Sequence, residues 1–196
     1  MKREVFLLDF QDSFVHNIRV SLEQKKIKVH VIEYDHVTSF FREIEKSKEK
    51  VCLVYGPGPG HPEDYAFLFP LIKPLFKKNN FFHLGICLGH QILWSLKNYP
   101  VTVSPFPIHG SSVNFTIPAW PNFFAKELWG KKMQVQRYNS LQVIDTKNES
   151  HFAKERGHIL AGYFERGITF QFHPESVGTT HADYIFSSLC HLLDRF

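Results

Sequence analysis

Gly85-Ile86-Cys87-Leu88-Gly89 sets a cysteine between two glycines, after an apolar run and ahead of a helical pattern. This is the glycine-x-nucleophile-x-glycine elbow with cysteine in place of serine. A sharp strand-to-helix turn forces the nucleophile into strained backbone geometry, and a Cβ on either flank would collide with the neighbouring chain. The turn delivers the sulfur to the carboxyl end of a sheet and to a helix N-terminus, where the helix dipole and free N–H groups favour thiolate. The implied chemistry is covalent attack by Cys87. Cys52, in mid-strand, and Cys190, beside Leu189 on a helix face, read instead as buried structural thiols.

A cysteine nucleophile needs a base. Of the 12 histidines, His173 stands out, in Phe170-Gln171-Phe172-His173-Pro174-Glu175-Ser176. It follows an apolar strand, where parallel sheets place their sites. Pro174 stiffens the turn, and Glu175 can fold back to hold one imidazole tautomer, as the acid of a nucleophile–base–acid triad does. A second loop, Gly56-Pro57-Gly58-Pro59-Gly60, ends another apolar strand. It is not a phosphate loop, because no Lys-Ser or Lys-Thr follows and the prolines remove two amides. We read it as an oxyanion donor, the Gly58 N–H working beside the Leu88 N–H; taken alone, the loop also fits a plain tight turn. Cys87-x-x-His90 has no second pair at zinc spacing, so no metal site is read, and His90 is assigned to support of the elbow helix.

The elements that must position these groups follow from the apolar pattern. Strands are expected at Val5–Leu8, Val29–Ile32, Val51–Tyr55 and Phe81–Ile86, with helices over 13–24, from Thr38 as cap to about Lys48, over 66–77, and from Leu88. Nearly all-apolar strands alternating with helices predict an α/β fold, with a mostly parallel sheet covered on both faces. After Tyr99, short runs at 101–104, 112–117, 135–138, 142–145, 159–164 and 168–172 predict an antiparallel extension of that sheet. A closing helix is expected over 181–195. No linker, repeat or low-complexity segment interrupts the chain, so residues 1–196 read as one domain.

Composition narrows the class. With 196 residues, 43% hydrophobic and 21% charged, the chain is neither disordered nor fibrous and can bury a core without a disulfide or metal staple. No run approaches the ~20 apolar residues of a membrane span. The short apolar run after Met1-Lys2-Arg3-Glu4 lacks a cleavage signal, so a cytoplasmic location and reduced cysteines are expected. The net charge of +4 sits in mixed-sign runs such as 45–50, and aromatic and basic residues are not interleaved, so neither a nucleic-acid nor a membrane partner is expected. The 20 phenylalanines read as a Phe-rich core, or as an aromatic surface for a protein partner.

The elbow segment through Gln91 and the segment 170–176 resemble the two signature segments of the class I (triad) glutamine amidotransferases, a flavodoxin-like family. Asp9-Phe10-Gln11-Asp12-Ser13-Phe14, Pro57-Gly58-Pro59-Gly60-His61-Pro62-Glu63, His109-Gly110 and Arg137-Tyr138-Asn139-Ser140-Leu141 are similar to further segments of its chorismate branch, the glutaminase subunits of anthranilate synthase and aminodeoxychorismate synthase. The resemblance implies that Cys87 attacks the side-chain amide of L-glutamine, that His173 moves the protons and that Glu175 orients His173. It further implies Gly58 and Leu88 amides at the oxyanion, and substrate contacts from Gly58, Pro59, Gly60, Gln91, Ser140 and Leu141. No cofactor is implied in this chain, Mg2+ being expected only on the partner, a chorismate-using synthase that receives the ammonia in a hetero-oligomer.

Three positions depart from the pattern. Asn139 replaces a histidine, Ser111 replaces a basic residue, and Lys97-Asn98-Tyr99-Pro100 stands where the family has Gly-Gly. We expect all three at substrate-edge or partner contacts. Such departures would also suit a glutaminase serving another synthase. The remaining readings are a free γ-glutamyl hydrolase or peptidase, and a non-catalytic regulatory protein of the same fold.

Overall fold

The apolar runs become the strands of a seven-stranded sheet. The computed structural model describes residues 4–120 and 126–195; residues 1–3, read above for a leader, lie outside them. The first half lays down β1 (Glu4–Leu8), α1 (Val15–Glu23), β2 (Lys28–Ile32), α2 (Val37–Ile44), β3 (Val51–Tyr55), α3 (Phe69–Ile72), β4 (Phe81–Ile86) and α4 (Leu88–Leu96). The second half adds β5 (Val101–Val103), β6 (Ser111–Thr116), β7 (Lys132–Arg137), β8 (Leu141–Val143), β9 (Phe152–Glu155), β10 (His158–Phe164), β11 (Gly167–Phe170) and α5 (Ala182–Arg195). The sheet runs β2-β1-β3-β4-β11-β10-β9. Its first five strands are parallel, and β10 and β9 extend it antiparallel.

Every residue of β3 and β4 is buried, as strands covered on both faces require. Alternation divides the core. Val5, Leu7, Cys52, Val54 and Leu84 pack with α1 and α5 on one face; Val51, Leu53, Tyr55 and Phe81 pack with α2, α3 and α4 on the other. The arrangement is the α/β sheet expected from the sequence.

Several details differ from expectation. Only β9 and β10 extend the sheet antiparallel; β11 instead enters beside β4 in parallel, and β5–β8 and β6–β7 form two separate two-stranded sheets. β9, with only Phe and Ala buried in Phe-Ala-Lys-Glu, is too short and polar to register as a run. The helix expected from Thr38 begins at Val37 with His36 as its cap and no side-chain cap hydrogen bond, and ends at Ile44. The expected helix over 66–77 is broken into 3-10, α and 3-10 turns, because Pro70 and Pro74 each remove a backbone donor. His61 starts this segment, its ring accepting from Glu63 N while Asp64 accepts from His61 N at 2.7 Å.

Two buried histidines set an acid limit on the fold. His83 shares a 2.9 Å hydrogen bond with the Tyr55 hydroxyl, and His90 shares one with Thr169. Burial depresses both imidazoles to about 3. Unfolding restores an ordinary imidazole, which binds a proton below pH ~6.5. The stability held above that pH is therefore lost as pH falls from ~6.5 toward ~3, at roughly 1.4 kcal/mol per pH unit for each histidine. Urea midpoints should drop clearly between pH 7 and pH 5, and a flat profile would exclude this account.

Candidate active site

β4 ends at Ile86, and Cys87 turns the chain into α4 with φ 52° and ψ −105°. This is the left-handed side of the map, costing a non-glycine residue on the order of 1–3 kcal/mol. Surrounding bonds hold it there: Cys87 N donates to Phe170 O at 2.8 Å, and Gln91 N donates to Cys87 O at 3.2 Å. The flanking glycines are needed for contact rather than for unusual φ. A Cβ at Gly85 would lie 2.7 Å from Gly89 O, and one at Gly89 only 2.1 Å from Tyr55 O. Thr169 on β11 locks the elbow helix to the sheet. Its hydroxyl donates to Gly162 O, leaving its lone pairs for Trp94 Nε1 at 2.7 Å and His90 Nδ1 at 2.9 Å. His90 therefore carries its proton on Nδ1.

His173 follows β11 and is fixed from both sides of its backbone. Its N–H donates to Gln136 O at 2.9 Å, and its carbonyl accepts from Thr179 Oγ1 at 2.7 Å. The ring lies between Phe14, at 4.9 Å, and Tyr138, at 5.1 Å between centroids. Nδ1 meets Glu175 Oε1 at 2.7 Å, with both side chains buried. The carboxylate acceptor assigns the proton to Nδ1 and leaves Nε2 without a hydrogen-bond partner among the described residues. Burial opposes charge on this ring, but the Cys87 sulfur and then the Glu175 carboxylate outweigh it and raise the imidazole to about 10. The cysteine, the histidine and the glutamate chosen from the sequence thus form one buried cluster.

The Pro-Gly loop lies against the elbow. Gly89 N donates to Gly56 O at 3.2 Å, and a Cβ on Gly58 would come within 2.6 Å of both Leu88 Cδ2 and Phe10 Cβ. Leu88 is the first residue of α4, so its N–H has no acceptor within the helix. Pro59 and Gly60 are exposed, Pro59 O accepting from Tyr65 Oη at 2.9 Å. Gln91 is buried and reaches Gln171 Oε1 at 3.1 Å and Leu141 O at 3.5 Å. Ser140 is exposed, its carbonyl held by Ser104 N at 2.7 Å.

Two residues within the motif segments gain a place at the site that their spacing does not announce. Gln171 sets its Nε2 3.9 Å from Cys87 Sγ while accepting from Gln91. Arg137 is buried within electrostatic reach of Cys87. Sequence spacing alone does not mark them, since Gln171 reaches the sulfur 84 positions away and Arg137 comes from the separate β6–β7 pair. Asn139, expected at a substrate or partner edge, is instead a buried clamp. It accepts from Arg137 Nε at 3.0 Å and donates to Leu141 O at 2.7 Å.

A match over nearly the whole chain decides the family. The family model "Glutamine amidotransferase class-I" matches residues 6–192. The chain belongs to that family. This amidotransferase is 30% identical over 195 residues to anthranilate synthase component 2 of Haemophilus influenzae, covering 97% of this chain and 98% of that protein. It is also 30% identical over 180 residues to the component 2 of Helicobacter pylori, covering 90% of each. In fold, the amidotransferase is similar to a glutamine amidotransferase from Thermotoga maritima, with TM-score 0.69, 18% identity and coverage of 89% of this chain and 77% of that one. No helix among the described residues is long and apolar enough to cross a membrane.

Proposed function

We propose that this amidotransferase is a glutaminase subunit that hydrolyses L-glutamine and passes the ammonia to a chorismate-using synthase making anthranilate or 4-amino-4-deoxychorismate. The observation that carries the chemistry is the cluster of strained Cys87 with the buried His173–Glu175 pair. The likeness to proteins named anthranilate synthase component 2 supports the partner.

In the proposed reaction the Cys87 thiolate attacks the amide carbon of glutamine. The developing oxyanion is held by the Gly58 and Leu88 N–H groups. His173 Nε2 donates its proton to the departing nitrogen, ammonia leaves and a glutamyl thioester remains. The imidazole then takes a proton from water, whose oxygen attacks the thioester; glutamate leaves and the sulfur returns as thiolate. Glu175 holds the Nδ1 proton throughout, so only Nε2 exchanges protons. Gln91, the loop at 58–60 and the backbone at Ser140 and Leu141 hold the amino-acid end of the substrate.

His173 works in both half-reactions, whereas Glu175 only orients and stabilises it. His173→Ala should therefore remove nearly all turnover, and Glu175→Gln should cost on the order of 10²–10⁴-fold in kcat. Equal losses would mean the roles are wrongly divided.

Ammonia released without an acceptor is lost to solvent, so full activity should await the partner. The deciding experiment is a glutaminase assay of the pure chain titrated with an anthranilate or aminodeoxychorismate synthase, with and without chorismate. Turnover should rise at least ~10-fold with the cognate synthase, which needs only ~1.4 kcal/mol of differential stabilisation. A lone chain at full rate, unmoved by either synthase, would point to a free-standing hydrolase, and a chain inert under all conditions to a regulatory role.

A further inference from the structure

The β6–β7 hairpin and the turn between β9 and β10 border a cavity of about 530 Å³, a size that suits a small molecule. Its wall includes neither Cys87, Gly58, Gln91 nor Ser140, though Arg137, which lies within electrostatic reach of Cys87, forms part of it. One side is apolar, built from Phe106, Ile108 and Val113; Arg137 and His158 lie in the same wall.

Two polar groups of this wall are left without partners among the described residues. Arg137 is 3% exposed, yet its guanidinium makes one hydrogen bond among the described residues, from Nε to Asn139 Oδ1. Its Nη2 is buried with no partner there. His158 is also buried, with Nδ1 unpartnered. Burial, and then the charge of Arg137, depress its imidazole, which keeps it neutral at pH 7. A carboxylate is present in the wall, on Glu155, but it faces the exposed Arg156, 3.7 Å from Nε. Arg137 interacts electrostatically with Cys87 but has no carboxylate partner in this wall, and its buried Nη2 donor is idle, which is costly unless an acceptor meets it. Phe106 is 70% exposed and stands edge-on to His158, leaving its ring available at the mouth.

We propose that this cavity binds a small organic monocarboxylate with a flat apolar body. The carboxylate meets Arg137 and the Nδ1–H of His158, and the body lies against Phe106, Ile108 and Val113. A single carboxylate matches the one guanidinium with an idle donor, and the guanidinium fork suits a carboxylate.

Benzoate is the test probe and benzamide its neutral counterpart, each titrated into the full chain without glutamine and followed by NMR at constant ionic strength. Benzoate should bind saturably in the millimolar range, shifting Phe106 and Val113 resonances, and benzamide at least ~10-fold more weakly. Arg137→Met should remove benzoate binding. Because loss of a buried arginine can disturb the fold in its own right, Phe106→Ala, at an exposed side chain, is the second variant and should weaken binding several-fold. Equal binding of benzamide, no saturable shift by ~50 mM benzoate, or unchanged affinity in Phe106→Ala would each overturn the proposal. The readout does not involve ammonia, so it stands or falls apart from the glutaminase reading.

Discussion

Glutamine-dependent ammonia release should vanish in Cys87→Ala and in Cys87→Ser. The proposed mechanism runs through one covalent bond to one sulfur, and removing a triad nucleophile elsewhere costs about 10⁶ in kcat. Serine supplies an oxygen in the same place, but its ordinary pKa is far above that of a thiol, and His173 sits in a site arranged around sulfur, with Gln171 Nε2 at 3.9 Å. The other cysteines provide the control. Burial pushes the Cys52 thiol up to about 12, and Cys190 is buried in α5 with its sulfur toward Lys25 O. Alanine at either should alter stability and spare turnover. A glutamine-derived alkylating analogue, read by peptide mass spectrometry, should modify Cys87 alone. Labelling at Cys52, or retained turnover in Cys87→Ala, would remove the elbow from the mechanism.

Gly89→Ala should prevent stable folding. The added carbon would lie 2.1 Å from Tyr55 O and 2.6 Å from Tyr55 Cβ. Both obstacles belong to the middle of the sheet, since Tyr55 closes β3 and is fully buried. Relief would need α4 to lift off β3, which breaks the Gly89–Gly56 hydrogen bond and opens the packing of Leu88, Ile92 and Leu93. A cost above ~4 kcal/mol is expected, a large share of the roughly 5–15 kcal/mol that holds a typical domain together. Gly157→Ala is the matched comparison. That glycine has φ 83° and open space around it, so its substitution should cost only about 1–2 kcal/mol of backbone strain. Urea denaturation of the two variants separates the cases, and a Gly89→Ala protein within about 1 kcal/mol of wild type would show that the elbow tolerates what its geometry forbids.

The parallel half of the fold was legible because its strands are buried on both faces and so carry continuous apolar runs. Val51–Tyr55 and Phe81–Ile86 were bounded correctly to the residue. The residues proposed as nucleophile, base and acid stand out for a different reason: each occupies a local segment whose residue types only make sense together. What lay beyond reach was pairing. Ile168–Phe172 reads equally well as an edge strand or an inserted one, and only the partner strand β4 settles that it lies inside the sheet. Asn139 shows the same limit at the site. Its position in a substrate-like segment suggested an edge contact, but its amide spans Arg137 and Leu141 across a turn that composition does not reveal. Apolar spacing predicts one helix over 66–77, but Pro70 and Pro74 each remove a backbone donor, and a helix this short cannot absorb the loss.

The late insertion of β11 between β4 and β10 bears on the order of folding. Gln171 touches Cys87 across 84 positions of sequence, and every strand from β5 to β10 is made between them. Closing so long a loop by parallel pairing is a slow step, because its entropy is lost before the contacts repay it. A chain still emerging from the ribosome carries the elbow and its sulfur but not yet His173, the proposed proton carrier. If the proposed mechanism holds, recovery of ammonia release during refolding should trail the return of helix and sheet signals, so that turnover would report completed topology.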